Sequence, residues 1–153
     1  MLKPAWYLPE SDWFALLADA PRLNGHGQAV IGQLADILRD EGPFDPAVTV
    51  VATHTILLAV QHLGDTMTYA AARHELTEVG RLLCGLNLAL AHVAQILQRI
   101  ASNVDTRAYP GAAETPAEAL QSVTESLSTA GANSELLAGH LKEAHLHLRS
   151  LLQ

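Results

Sequence analysis

From Tyr69 to Val104 the apolar positions advance by three and four without a slip: Tyr69, Ala72, Leu76, Val79, Leu83, Leu86, Leu90, Val93, Leu97, Ile100 and Val104. An α-helix turns once every 3.6 residues, so this spacing draws one apolar stripe along a helix of about 66–104. Leu82, Ala89 and Ile96 widen the stripe until it is too broad for one partner helix to cover. Gly80, Asn87, Ala94 and Ala101 line its other edge, where little side-chain bulk stands in the way of a neighbouring backbone.

The same rhythm returns near the C-terminus in Leu120, Val123, Leu127, Ala130, Ser134, Leu137, Leu141, Ala144, Leu148 and Leu151. It passes through Gly131-Ala132-Asn133 unshifted, which predicts one continuous helix over about 116–152 rather than two. Thr115-Pro116-Ala117-Glu118 supplies its start signal, a capping-box spacing with proline at the first helical position. Between the two long helices lies a polar stretch, 105–114, with a Pro110-Gly111 turn. A connection this short predicts an antiparallel hairpin.

Shorter segments precede the hairpin. Val30, Ile31, Leu34, Ile37 and Leu38 follow the turn cluster Asn24-Gly25-His26-Gly27 and predict a helix over 27–41. Asp45-Pro46 caps and opens a helix over 46–63, with Val48, Ala52, Ile56, Ala59, Val60 and Leu63 on one side. Its β-branched run would also suit a strand, but the cap and the lack of any partner strand decide for helix. Gly64-Asp65 is the only punctuation before the central stripe and is where a break is expected, although Leu63, Met67 and Ala70 could carry the helix straight through. At the N-terminus, Pro9, Glu10, Ser11 and Asp12 favour a short helix over 10–19 within an arm, 1–20. That arm holds four of the seven aromatic residues, Trp6, Tyr7, Trp13 and Phe14, and must lie on its own bundle or dock on a partner. The fold class is all-α: a single helical-bundle domain, 1–153, in which shorter helices pack on a long antiparallel hairpin.

Composition narrows the partners. Charged residues are only 16% of the chain and hydrophobic ones 49%. The formal net charge is −7, and nine scattered Lys and Arg form no basic stripe, so nucleic acid is not expected. Cys84 is the lone cysteine, which excludes an internal disulfide and points to a cytoplasmic protein. No membrane span is expected either, because His54, Gln61 and His62 interrupt the most apolar window.

Eight histidines are the one compositional oddity. A hairpin turning near Pro110 places residues whose numbers sum to about 220 at one level. This sets Glu75 beside His145, and a reversal at Gly64-Asp65 would bring His54 to the same level. His54, Glu75, Glu78, His145 and His147 are therefore the candidate metal ligands, although no paired Glu-x-x-His pattern of di-iron bundles is present. Other chemistries find less support. The hydroxyls at Ser122, Thr124, Ser126, Ser128 and Thr129 have no His and Asp within a turn. Only Arg81 lies close enough along the helix to favour a Cys84 thiolate. No catalytic or cofactor motif is present.

The function expected is non-catalytic: a self-associating helical bundle acting through protein–protein interaction. The alternative is a bundle holding a small apolar ligand or a transition metal. Length supports a homodimer, since helices of 22 to 27 Å cannot cover a hairpin of about 55 Å. The uncovered half carries Leu86, Ala89, Leu90, Val93, Ile96, Leu97, Ile100, Leu120, Val123 and Leu127, the candidate interface.

Overall fold

A computed structural model describes residues 25–38 and 45–152. The aromatic arm with its expected helix over 10–19 lies outside them. Every regular element among the described residues is helical: α1 (Gly25–Leu38), α2 (Pro46–Tyr69), α3 (Leu76–Asp105) and α4 (Ala117–Leu151), with 3-10 turns at Ala71–Arg73 and Ala112–Glu114. The chain divides into two compact units. One contains α1 and α2, and the other contains α3 and α4.

In the first unit, α1 begins at Gly25, so the Gly25-His26-Gly27 cluster is helix rather than turn. Helix α2 opens as its sequence requires: the Asp45 carboxylate accepts from the Ala47 N–H at 2.8 Å, and Pro46 follows at the first position, where its missing N–H costs nothing. It does not stop at Gly64-Asp65. The helix runs on to Tyr69 and ends at Ala70, whose N–H still bonds the Thr66 carbonyl, before the Ala71–Arg73 turn and an extended His74. The central helix accordingly starts at Leu76, ten residues later than the stripe suggested, and Tyr69 stands 84% exposed outside it.

In the second unit, α3 and α4 form the expected hairpin. Its turn starts with a Schellman closure: the Ala108 N–H bonds the Asn103 carbonyl and the Arg107 N–H bonds that of Val104. Arg107 takes the left-handed conformation, φ 55°, that this closure demands, and Gly111, φ 82°, supplies a second left-handed residue. The expected capping box is not formed. Thr115 Oγ donates to the Gly111 carbonyl at 3.1 Å, tying the turn rather than capping α4. Helix α4 is unbroken through Gly131-Ala132-Asn133.

Candidate interaction surface on the long hairpin

The two long helices meet through their smallest residues. On α3 the buried column is Gly80, Cys84, Asn87, Ala91, Ala94 and Ala101, with Val104 of the stripe also buried near the turn, and on α4 it is Gly131, Ala138 and His145. The approach is close enough that a Cβ built on Gly131 would stand 3.2 Å from Gln98 Cγ and 3.6 Å from the Ala94 carbonyl oxygen. Helices can come this near only where neither presents a branched side chain. What reads in the sequence as the edge of the stripe is the seam itself.

Two buried polar side chains fix the register of this seam. Asn87 donates from Nδ2 to the Ala138 carbonyl at 2.6 Å, and His145 Nδ1 lies 2.8 Å from the Gly80 carbonyl. A carbonyl can only accept, so the proton is on His145 Nδ1. Both pairs join residues whose numbers sum to 225, and they are spaced seven residues apart on each helix. The hairpin therefore turns about two residues later than Pro110, and His145 faces Gly80 rather than Glu75. At the seam's outer margin Gln98 also donates to Glu135.

This register separates His145 from Glu75, the pair on which the expected metal ligands were centred. Among the described residues no three His, Cys, Asp or Glu side chains gather to hold an ion. His145 is 2% exposed and directed at the backbone of α3, whereas His147, two residues on, is exposed, as is Glu75; Glu78 is half-buried. His54 belongs to α2, and the reversal at Gly64-Asp65 that would have carried it toward Glu75 does not exist. His145 Nε2 is buried with no hydrogen-bonding partner among the described residues.

With small residues in the seam, the large ones stand beside it. Each residue of the α3 ridge, Val79, Leu83, Leu86, Leu90 and Val93, directly precedes a seam residue, and Leu97 and Ile100 extend the ridge at helical spacing. On α4 Val123, Ala130, Leu137 and Ala144 hold the corresponding place, filled out by Leu127, Leu141 and Leu148. One residue is a 100° rotation, in the same sense on both helices, and because the helices are antiparallel both ridges emerge on one side of the two-helix layer. None of these residues is buried: Val123 is 46% exposed, Leu137 49%, and the α3 ridge is half-buried. The α3 ridge contains no charged or polar residue; on α4 only Ser134 is polar within the ridge, and Ser126, Asn133, His140 and His147 line its outer margin.

Of the ten expected interface residues, Leu86, Leu90, Val93, Leu97, Ile100, Val123 and Leu127 fall on this face. Leu120, one heptad before Leu127, lies in line with them and is half-buried. Ala89 and Ile96, the latter 51% exposed, turn onto the outer flank of α3, away from α4.

In the other unit, α2 has no buried residue and is apolar around its circumference, with Val50, Val51, Ile56, Leu57, Leu58 and Val60 all exposed. Its threonine hydroxyls bond inside the helix, Thr53 to the Thr49 carbonyl and Thr55 to that of Val51. Helices α2 and α3 are both long and apolar enough to cross a membrane by length and composition. No family model matches the chain, and comparison with curated proteins and with solved structures gives no match.

Proposed function

We propose that this protein is a non-catalytic, cytoplasmic helical bundle that self-associates through the ridged face of its long hairpin. The observation that carries this reading is the division of labour on α3 and α4, in which mostly small residues together with Asn87 and His145 make the intramolecular seam and most of the leucine, valine and isoleucine side chains are left beside it, unburied. Thirty residues of helix are about 45 Å long and two helices about 20 Å across, so the face measures about 900 Å². Monomers rarely expose an apolar patch beyond about 300–600 Å², whereas one side of a standard protein interface covers about 800 Å². A second copy supplies a face of matching length and the same apolar chemistry.

A bilayer is the less suitable cover. In α2 the charge-free window 46–63 has His54 at its midpoint, where an ionisable group is costly in hydrocarbon. The acidic balance of the chain likewise favours a protein surface over nucleic acid.

Light scattering on a sizing column tests the proposal. The parent protein elutes with the mass of a dimer at micromolar concentration. Val93→Glu, in the middle of the ridge, shifts it to monomer with helix content retained, because a carboxylate buried between copies costs several kcal/mol and is solvated in the separate chain. A parent of monomer mass at that concentration refutes self-association.

A further inference from the structure

The side of α4 turned away from its ridge carries a small apolar strip of its own. Ala132, Leu136 and Gly139 follow one another at steps of four and three, about half a turn round the helix from Ala130, Leu137 and Leu141. With Glu135, His140 and Glu143 they line a groove of about 380 Å³. Leu136 on its floor is 62% exposed, and among the described residues its edge holds two carboxylates and no lysine or arginine. The strip is bounded along the helix by Glu125 and Thr129 before it and by Glu143 after it. It spans about 10 Å, too little to seat another long hairpin and the right extent for a few residues of extended chain.

We propose that the occupant is residues 1–9 of the same chain, laid along α4 with Trp6 in the groove. Pro4 and Pro9 oppose helix in this stretch and favour extended backbone at Lys3 and Leu8 before them. At the period of an extended chain Leu2, Pro4, Trp6 and Leu8 share one side, and Lys3 and Tyr7 fall on the other. The stretch has one base and no acid, the reverse of the groove's edge. The indole body suits a floor of Ala132, Leu136 and Gly139, and its N–H is a donor for which the edge carboxylates are acceptors. Residues 10–24 remain to make the connection to α1, and they reach about 30 Å even with 10–19 helical. Being tethered, this segment outcompetes the same stretch of a second copy at micromolar concentration.

Both tryptophans of the chain, Trp6 and Trp13, lie in the arm, so indole fluorescence reads the arm alone. In the full chain carrying Trp13→Phe, Trp6 is the single indole, and its quenching by acrylamide is compared with that of a free indole amide. Trp6 is shielded in this parent. Leu136→Glu raises the quenching toward the free value with helix content by circular dichroism retained, the docked-to-free ratio falling by at least about tenfold, since burial of one leucine side chain is worth that factor. Gly139→Gln, which fills the groove and suits a helix better than glycine does, acts in the same direction. Val93→Glu, on the ridge, leaves the quenching unchanged. The proposal is overturned if Trp6 in the parent is quenched as freely as the indole amide, if neither groove variant responds, or if both respond only with loss of helix content. It is equally overturned if Val93→Glu exposes Trp6, which would put the arm on the ridge or on a second copy. Self-association is read separately, from the mass, and stands or falls on its own.

Discussion

His145 and His147 stand two residues apart on one helix, and replacing each by alanine should have very different effects. At position 145 the substitution removes a ring that is 2% exposed and the hydrogen bond from Nδ1 to the Gly80 carbonyl. The bond contributes about 0.5–1.5 kcal/mol net, a moderate part because the Gly80 carbonyl lies within α3, where the helix ladder also reaches it. The cavity is the larger effect. Truncating a buried ring to a methyl group costs about 3–5 kcal/mol for an apolar aromatic, and the smaller imidazole, whose Nε2 has no partner, falls at or below the lower end. Together these give about 3 kcal/mol for His145→Ala, or about 6–12 °C in melting temperature for a chain of this size. His147→Ala removes an exposed side chain and should stay within about 0.5 kcal/mol. Urea unfolding followed by circular dichroism measures both in the same host. Equal effects, or a larger loss at His147, would show that residues summing to 225 do not face one another, and the seam and ridge assignments would fall with that register.

Glycines in the seam should divide by the room beside them: Gly80→Ala meets only Leu148 Cδ2 at 3.6 Å and should stabilise by up to about 1 kcal/mol through helix propensity, whereas Gly131→Leu should lose at least about 1–3 kcal/mol by forcing the helices apart, both read by urea unfolding. Arg107→Gly relieves a left-handed residue with a Cβ and should raise stability by about 0.5–1 kcal/mol in the same assay, a loss arguing against the Schellman closure. If the ridged face is covered by a second copy, melting temperature should climb by a few degrees for each decade of protein concentration, as mass action requires, and a melt that is independent of concentration would place the cover within the chain.

The all-α class, the hairpin and the unbroken last helix were legible in the sequence because each rests on periodicity that a helix cannot avoid showing. The cap of α2 was legible too, since Asp45-Pro46 acts through its immediate neighbours. Two features were not. Gly64-Asp65 looks like a stop, yet a glycine costs an α-helix only about 1 kcal/mol, less than breaking its hydrogen-bond ladder in mid-course. The real end, Ala70 to Glu75, contains neither Gly nor Pro, and the three-four spacing of Tyr69, Ala72 and Leu76 runs straight across it. The pairing of His145 with Glu75 missed for a related reason. Counting levels from a guessed turn carries the error in that turn to every facing pair, and five residues in the sum turn His145 from Glu75 to Gly80.

The deeper difference concerns what an apolar stripe means. Periodicity locates the apolar side of a helix but does not say which neighbour meets it. On α3 the stripe and the contact with α4 are about a quarter turn apart, and the contact takes the small residues because they allow the closest approach and the most backbone contact. A seam made mostly of small residues buries few methylene groups, each contributing about 0.8 kcal/mol, so it supplies only part of what holds two helices of 30 and 35 residues together. What it does provide is register, through Asn87 and His145, whose hydrogen bonds are satisfied at one alignment and broken by a slip of one residue. Much of the apolar surface resides instead in the ridges, which the hairpin alone leaves half-buried or exposed. A charge placed on the ridge should therefore act first on whatever covers that face, since the two register bonds lie within the hairpin and stay in place.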